Sequence, residues 1–210
     1  MLLQQCLQSA NLNRPGFSAQ YQTMAPGTGA LAVDLMSEGT TTRTGAQLVE
    51  QFNALGATFG VSGGGEITQL GLSALKPTLP QAIALYADVV QHPAFAPSDV
   101  ERLKVQTIVA IESGRLSPNR IASRLLPRLI YEVDSPYGRL SSEPSARAIT
   151  RDDLGAFHHD WFRPNNATLV VVGDTTLAEI RPMIEKGLPG GSRALCPPPS
   201  FRRRRPPASR

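Results

Sequence analysis

A segment of small and apolar residues lies between two glycine–threonine pairs, Gly27-Thr28 and Gly39-Thr40, and it limits what this chain can fold into. Between these pairs the chain carries a run of small and apolar side chains: Ala30, Leu31, Val33, Leu35 and Met36. Gly39 is suited to end a helix, because glycine adopts a left-handed backbone without steric cost. The segment therefore predicts a buried helix, and taken alone it predicts a structural element with no site.

Paired glycine–threonine landmarks around a helix, followed by Arg43, make this segment resemble the insulinase, pitrilysin and mitochondrial processing peptidase family. In that family the same helix carries an inverted zinc motif, H-x-x-E-H. Aligning the landmarks puts Ala30 and Asp34 at the two histidine positions and Val33 at the catalytic glutamate. Alanine and valine offer no lone pair to a metal, and Asp34 alone cannot hold zinc. The resemblance therefore implies a copy of the motif that has lost its chemistry.

The resemblance covers most of the chain, from about residue 27 to residue 188. Further matches, in the family's order, are Leu55-Gly56-Ala57, Leu72-Ser73-Ala74-Leu75, Asp88-Val89-Val90, Pro93-Ala94-Phe95, Glu101-Arg102, Ser135-Pro136-Tyr137-Gly138, and Arg163-Pro164-Asn165-Asn166-Ala167-Thr168-Leu169 with Gly173-Asp174. The family's third zinc ligand, a glutamate, aligns with Ala110. Glu112 lies about 200° around a helix from Ala110 and cannot replace it. The chain is thus identified with the family's degenerate repeat, which keeps the fold without the zinc ligands.

This resemblance implies an α+β fold, in which helices pack on one face of a mostly antiparallel sheet. Residues 27–190 are expected to form the insulinase-like domain without the zinc motif. Residues 1–26 read as irregular, with only 17–21 alternating like a strand. Residues 191–210 are rich in proline and arginine and are expected to be disordered, because they can bury too little to offset ordering.

Hydrophobic periodicity and turn residues predict the elements of this domain. The predicted helices run from Thr44 to Leu55, Leu79 to Val90, Ser98 to Arg115, Ser117-Pro118 onward, Thr150 to Trp161 and Thr176 to Leu188. Capping boxes are predicted for Ser98 with Glu101, Thr150 with Asp153 and Thr176 with Glu179. Strand signals predict a hairpin from Ala57 to Ala74 that turns at Gly63-Gly64-Gly65, and a strand from Thr168 to Val172. Pro127 is expected to kink its helix, and residues 135–138 are expected to form a turn.

The basic balance of the chain comes from its last twenty residues. The six arginines there have no acidic neighbour, so subtracting them from the net charge of +4 leaves −2 for the remainder. The basic pI therefore belongs to the tail and says nothing about a nucleic-acid face on the folded part. No apolar run approaches the ~18 residues of a membrane span. Cys6 and Cys196 flank the domain and form neither a disulfide framework nor a zinc cluster.

The beginning of the chain, Met1 to Cys6, has neither the basic nor the apolar region of a signal peptide. Localisation therefore stays open, although bacterial relatives in the family are often periplasmic. After Leu188 the family's next domain would begin, whereas this chain continues into Gly190-Gly191-Ser192. The resemblance accordingly implies a truncated bacterial member, with an interrupted reading frame or a functional basic tail as the two explanations.

Three histidines are the remaining candidates for a relocated zinc site. His158 and His159 are adjacent on a helix and point about 100° apart, so they do not converge as i, i+4 ligands do. His92 lies in a distant loop and, like the others, is expected to be an ordinary surface or interface residue. Asp152 and Asp153 fit the first turn of a helix, where they oppose the helix dipole. Arg43 is expected to fix a loop. No catalytic residue, metal ligand or cofactor site is predicted.

Two functions from different classes follow from these observations. The first is a non-catalytic domain or subunit of an insulinase-like zinc peptidase, inactive alone, which helps to enclose a peptide substrate while a zinc-bearing partner performs catalysis. The second is a binding module whose arginine-rich tail contacts nucleic acid or an acidic surface. Phe201 is the only aromatic residue in that tail, so a base-stacking platform is lacking and nucleic acid is the less favoured partner.

Overall fold

The computed structural model describes residues 2–8, 24–64, 67–131, 138–163 and 166–188. Within them lie four strands: β1 (Leu2–Gln8), β2 (Thr58–Gly64), β3 (Ile67–Ser73) and β4 (Ala167–Val172). The same residues include eight α-helices: α1 (Thr28–Leu35), α2 (Gly45–Ala54), α3 (Leu79–Gln91), α4 (Pro97–Gly114), α5 (Pro118–Ile130), α6 (Glu143–Ala148), α7 (Arg151–Trp161) and α8 (Leu177–Gly187). The predicted strand at 17–21, the turn at 135–138 except Gly138, and the tail at 191–210 lie outside the described residues.

The sheet has the strand order β2-β3-β1-β4, and every neighbouring pair is antiparallel. The α+β fold with an antiparallel sheet is therefore confirmed. β1 lies in the middle, with Leu3 opposite Leu72 on one side and Val171 on the other. Residues 1–26 were predicted to be irregular, and for residues 2–8 this prediction is wrong. Glutamines interrupt the apolar alternation of these residues, so their side-chain pattern does not indicate a strand. β1 is a strand because its backbone pairs with β3 on one side and β4 on the other, although its side-chain pattern does not predict a strand.

The hairpin of β2 and β3 sets Phe59 opposite Leu72 and Val61 opposite Leu70. Its turn differs from the prediction, because β2 continues through Gly64 and pairs it with Ile67. Gly63 is therefore a strand residue. A Cβ atom there would lie 3.0 Å from Val33 Cγ1, so the close approach of α1 explains the glycine.

All the helices that build the core pack on one face of the sheet. One apolar cluster joins that face to α2, α3 and α8, and it includes Leu48, Phe52, Leu70, Leu72, Ile83, Tyr86, Val89 and Ile180. A second cluster joins α1, α4 and α7, and it includes Leu31, Leu35, Val100, Leu154, Phe157 and Trp161. Val61 packs against both clusters, which connects the two parts of the core.

Local signals set most helix ends. Capping boxes are present at Thr44 with Gln47, and at the predicted pairs Thr150 with Asp153 and Thr176 with Glu179. The predicted box of Ser98 with Glu101 is wrong, because the N-cap of α4 is Ala96, two residues earlier, and it makes no side-chain cap hydrogen bond. Pro97 explains the shift: proline has no N–H to satisfy and its fixed φ suits the first helical position.

α5 begins after Ser117 with Pro118 in its first turn, as predicted, and Pro127 lies inside it. The expected kink at Pro127 stays a prediction. No helix in the described part of the chain is long and apolar enough to span a bilayer.

Candidate functional site

The helix α1 divides its residues between core and surface. Leu31, Ala32 and Leu35 are buried against the core, whereas Ala30 and Asp34 are exposed. Ala30 and Asp34 are four residues apart and therefore share one face of the helix. The positions that align with the family's histidines are thus accessible, but they present a methyl group and a carboxylate.

Val33, at the position of the family's catalytic glutamate, is buried at 1% exposure. It packs toward β2, where its Cγ1 is within reach of the backbone at Gly63. Its role is to join helix and sheet. It has no group that could take a proton from water.

Asp34 is a single carboxylate on this face of the helix. Although its side chain is exposed, desolvation by nearby protein atoms, followed by the charge of Glu38, raises the pKa of Asp34. One carboxylate beside a methyl group does not make a zinc ligand set. Glu38 itself is committed to Arg102, with 2.6 Å between Arg102 Nη2 and Glu38 Oε2.

The third ligand position, Ala110, lies on the exposed side of α4 and borders a cavity of about 470 Å³ between α4 and α5. α5 contributes polar side chains to this cavity, among them Arg120, Ser123 and Arg124. Arg124 Nη2 donates a hydrogen bond to the Ser141 carbonyl at 2.6 Å. Glu112 is exposed and does not border the cavity, consistent with its predicted direction on the helix.

The histidines do not come together as a metal site. His158 is half-buried, stacks on Phe162 at 4.8 Å between ring centroids and donates from Nε2 to the Val90 carbonyl at 2.8 Å. Burial lowers the pKa of His158, against the effect of that hydrogen bond. His92 and His159 are exposed and face Asp88 and Asp160, respectively. His158 is therefore a packing residue rather than a surface one.

No three His, Cys, Asp or Glu side chains cluster as a metal site in the parts of the chain that the structure describes. The absence of metal ligands from the whole chain stays a prediction.

Arg43 fixes a loop, as predicted. Its Nη1 lies 2.7 Å from Asp88 Oδ2, and the same oxygen accepts hydrogen bonds from Thr40 at 2.7 Å and Thr42 at 3.1 Å. Arg43 Nε also donates to Gln51 Oε1 at 3.0 Å. This network joins the loop after α1 to Gln51 on α2 and Asp88 on α3. The side chains of Arg43 and Asp88 therefore serve to hold the loop in place.

The comparisons with known proteins agree with this geometry. The model of "Insulinase (Peptidase family M16)" matches residues 18–135, which is more than half of the chain. The chain belongs to the insulinase family. The model of "Peptidase M16 inactive domain" matches residues 148–206. Both matches place the chain in the insulinase family, and the inactive-domain match lies in its C-terminal part.

One curated relative is an uncharacterized zinc protease of Rickettsia bellii, 26% identical over 145 residues, which are 68% of this chain and 35% of the relative. The chain spans about a third of the length of this relative. A solved M16 inactive domain from Pseudomonas fluorescens is 25% identical with a TM-score of 0.80, covering 95% of this chain and 48% of that one.

The first half of the periplasmic protease PqqL from Escherichia coli has the same fold, with 18% identity and a TM-score of 0.68. The match covers 94% of this chain and 44% of that one.

Sequence reasoning located the zinc-ligand positions of this insulinase-family domain but missed the cavity beside Ala110. It also predicted the helix that begins at Ser117-Pro118 without indicating that the apolar residues of this helix would be exposed. The signal for this exposure was the spacing of Arg120, Arg124 and Arg128, which are four residues apart and share one helix face. If this polar face packs against the domain, the apolar residues are left exposed.

Proposed function

We propose that this chain is a non-catalytic domain or subunit of an insulinase-like zinc peptidase, with residues 27–190 forming the domain together with the central strand β1. Zinc and catalysis would reside in a partner half, and this domain would help to enclose an extended peptide substrate. The observation that carries the proposal is the exposed face of α1, where Ala30 and Asp34 occupy the positions of the family's zinc ligands. The match to the inactive-domain model supports it.

Peptide hydrolysis by this family requires a metal-bound water and a general base. Ala30, Val33 and Ala110 supply neither a ligand nor a base at the aligned positions. What the domain retains is its fold and its surfaces, so its contribution would be to bind the partner and confine the substrate. Sequence similarity to zinc proteases therefore does not imply that this chain hydrolyses peptides by itself.

The test combines zinc titration by calorimetry with a cleavage assay on a fluorogenic unfolded peptide. The purified chain is expected to bind zinc below stoichiometry and to leave the peptide intact. An H-x-x-E-H-bearing M16 protein from the same genome serves as the positive control. Stoichiometric zinc binding, together with cleavage by this chain alone that a chelator abolishes, would contradict the proposal.

A further inference from the structure

The two walls of the cavity between α4 and α5 differ in chemistry. The α4 wall is largely apolar, with Ala110, the buried Ile111 and the buried Gly114. The α5 wall carries hydrogen-bond donors: Asn119, Arg120, Ser123 and Arg124. At about 470 Å³ the cavity falls within the ~300–1,000 Å³ of small-molecule sites. It therefore suits a ligand that combines an apolar part with hydrogen-bond acceptors.

Two guanidinium groups dominate the α5 wall. Arg120 and Arg124 are four residues apart and therefore share one side of the helix. The stem of Arg120 packs over Gly114, where an added Cβ would lie 3.7 Å from Arg120 Cδ. Arg120 makes no hydrogen bond or ion pair with the described residues, and Arg124 makes only one with them, to the Ser141 carbonyl at 2.6 Å. Both arginines therefore have donors available to a ligand in the cavity.

No carboxylate balances the charges of Arg120 and Arg124 at this cavity. None of the described residues that border it is Asp or Glu, and the sequence has no acid between Glu112 and Glu132. Like charges at positions i and i+4 of a helix repel each other. An anion between the two guanidinium groups would therefore stabilise both of them.

The arginines of α5 are not needed to cap α4. A basic side chain near the end of a helix often serves the last carbonyls of that helix. In α4 these carbonyls already accept backbone N–H groups, with N–O distances of 3.0 Å for Arg115 to Glu112, 3.2 Å for Leu116 to Ser113 and 3.3 Å for Ser117 to Gly114. Capping therefore does not account for the position of Arg120.

We propose that the cavity between α4 and α5 binds a carboxylate of a peptide. Arg120 and Arg124 donate to the carboxylate oxygens, which the planar guanidinium fork matches, and apolar residues next to the carboxylate pack on the α4 wall. This inference rests on the proposed function, which supplies a peptide as the ligand, and it names the class of peptide: one with an acidic group flanked by apolar residues. The ligand would lie beside Ala110, the position that aligns with the family's third zinc ligand.

A phosphate ion is the alternative oxyanion for two arginines. It carries more charge than a carboxylate and has no apolar part, so it gains nothing from the α4 wall and loses hydration beside it. The apolar wall therefore favours the peptide carboxylate, and inorganic phosphate serves as a competitor in the test.

The experiment measures binding of labelled peptides to the full chain by fluorescence polarization. Two peptide amides differ only in a central glutamate or glutamine between leucines, and a third peptide has the glutamine and a free terminal carboxylate. Arg120→Gln removes one guanidinium group, and Ala110→Phe narrows the cavity from an exposed position without changing the charge. Arg128→Gln is the matched control, because Arg128 is exposed on the same helix and does not border the cavity.

We expect the glutamate amide to bind at least about 10-fold more tightly than the glutamine amide. Arg120→Gln and Ala110→Phe are each expected to weaken that binding by at least about 10-fold, whereas Arg128→Gln stays within about twofold. Unchanged circular dichroism and Tm establish that the variants are folded. Tighter binding of the peptide with the free terminal carboxylate would support the inference and identify a chain terminus as the source of the carboxylate.

Four results would overturn the inference. Three of them are equal binding of the glutamate and glutamine amides, equal weakening by Arg128→Gln and Arg120→Gln, and no binding of any of the three peptides at ~1 mM chain. The fourth is displacement of the glutamate amide by inorganic phosphate at lower concentrations than by acetate, which would assign the cavity to a phosphate ligand. Because the assay contains no zinc-bearing protein, failure here is distinguishable from failure of the proposed function, which reconstituted cleavage tests separately.

Discussion

Replacing Asp88 by alanine removes the centre of the network that holds the loop after α1. The Asp88 carboxylate accepts hydrogen bonds from Thr40, Thr42 and Arg43 at distances of 2.7 to 3.1 Å, and its side chain is 15% exposed. Thr40 is 5% exposed, so water cannot readily replace the lost acceptor at its hydroxyl. Arg43 is 34% exposed, and its guanidinium can be rehydrated in part.

The expected cost follows from these exposures. Losing a hydrogen bond to a charged group costs about 1.5–3 kcal/mol, and leaving its buried partner unsatisfied costs about 1–3 kcal/mol more. The contribution of the ion pair with Arg43 is discounted, because water screens the charge of this partly exposed side chain. We expect Asp88→Ala to lower the free energy of unfolding by about 3 kcal/mol. For a chain of this length that corresponds to a decrease in Tm of about 6–12 °C.

Urea unfolding monitored by circular dichroism measures this effect. Asp174→Ala is the matched control, because Asp174 is fully exposed and lies 3.7 Å from Lys76. Exposed pairs at such distances contribute little, so the control is expected to unfold like the wild-type chain. If Asp88→Ala also lost less than about 1 kcal/mol, the network would not be what fixes this loop, and the assignment of Arg43 would be wrong.

The remaining predictions concern pH, glycines and association. Burial acts to raise the pKa of Asp88, but hydrogen bonds from Thr40, Arg43 and Thr42 and the charge of Arg43 lower it on balance. The folded pKa of Asp88 is therefore below the unfolded value near 3.9, so the stability that Asp88 contributes is complete above that value and is lost as pH falls through the folded pKa. In urea titrations at decreasing pH, Asp88→Ala should lack this loss of stability. A parallel loss in both proteins would refute the prediction. Gly45→Ala would set a Cβ 2.6 Å from the Glu38 carbonyl oxygen and is expected to destabilise the fold by about 1–3 kcal/mol. A Cβ added at Gly155 would have no neighbouring atom within 4 Å, so Gly155→Ala is expected to stabilise the fold by about 0.5–1 kcal/mol. Equal unfolding midpoints in urea for the two variants would contradict this prediction. The isolated wild-type chain is expected to self-associate without fixed stoichiometry through the exposed apolar residues of α5, among them Leu126 and Leu129. Co-expression with an H-x-x-E-H-bearing partner is expected to raise its soluble yield and Tm. A sharply melting, concentration-independent monomer in sedimentation would refute this.

Local chemistry made much of the fold predictable. The threonines at 44, 150 and 176 cap their helices as the sequence indicates, since each needs only a partner three residues away. β1 was not predictable in the same way, because a glutamine-rich strand in the middle of a sheet is stabilised by backbone pairing with distant strands. The family resemblance was what located Ala30, Val33 and Asp34, and their exposure or burial then came from the structure.

The orientation of α5 could not be predicted from hydrophobic periodicity. The spacing of Ile121, Leu125 and Leu129 indicates that these residues share a helix face, but it does not indicate which face meets the domain. In an isolated domain the apolar face would be expected inside. A helix at an interface with another protein can instead turn its apolar face outward. Which way the helix faces is then known only from the residues that pack against it.

The most direct test of a non-catalytic half is reconstitution of peptide cleavage. A zinc-bearing M16 protein from the same genome is titrated with this chain, and cleavage of a fluorogenic unfolded peptide is followed. We expect this chain alone to be inactive, and the rate of the zinc-bearing protein to rise with added chain until the two are equimolar. A rate that does not change on addition of this chain, or cleavage by this chain alone, would mean that the chain is not a non-catalytic half.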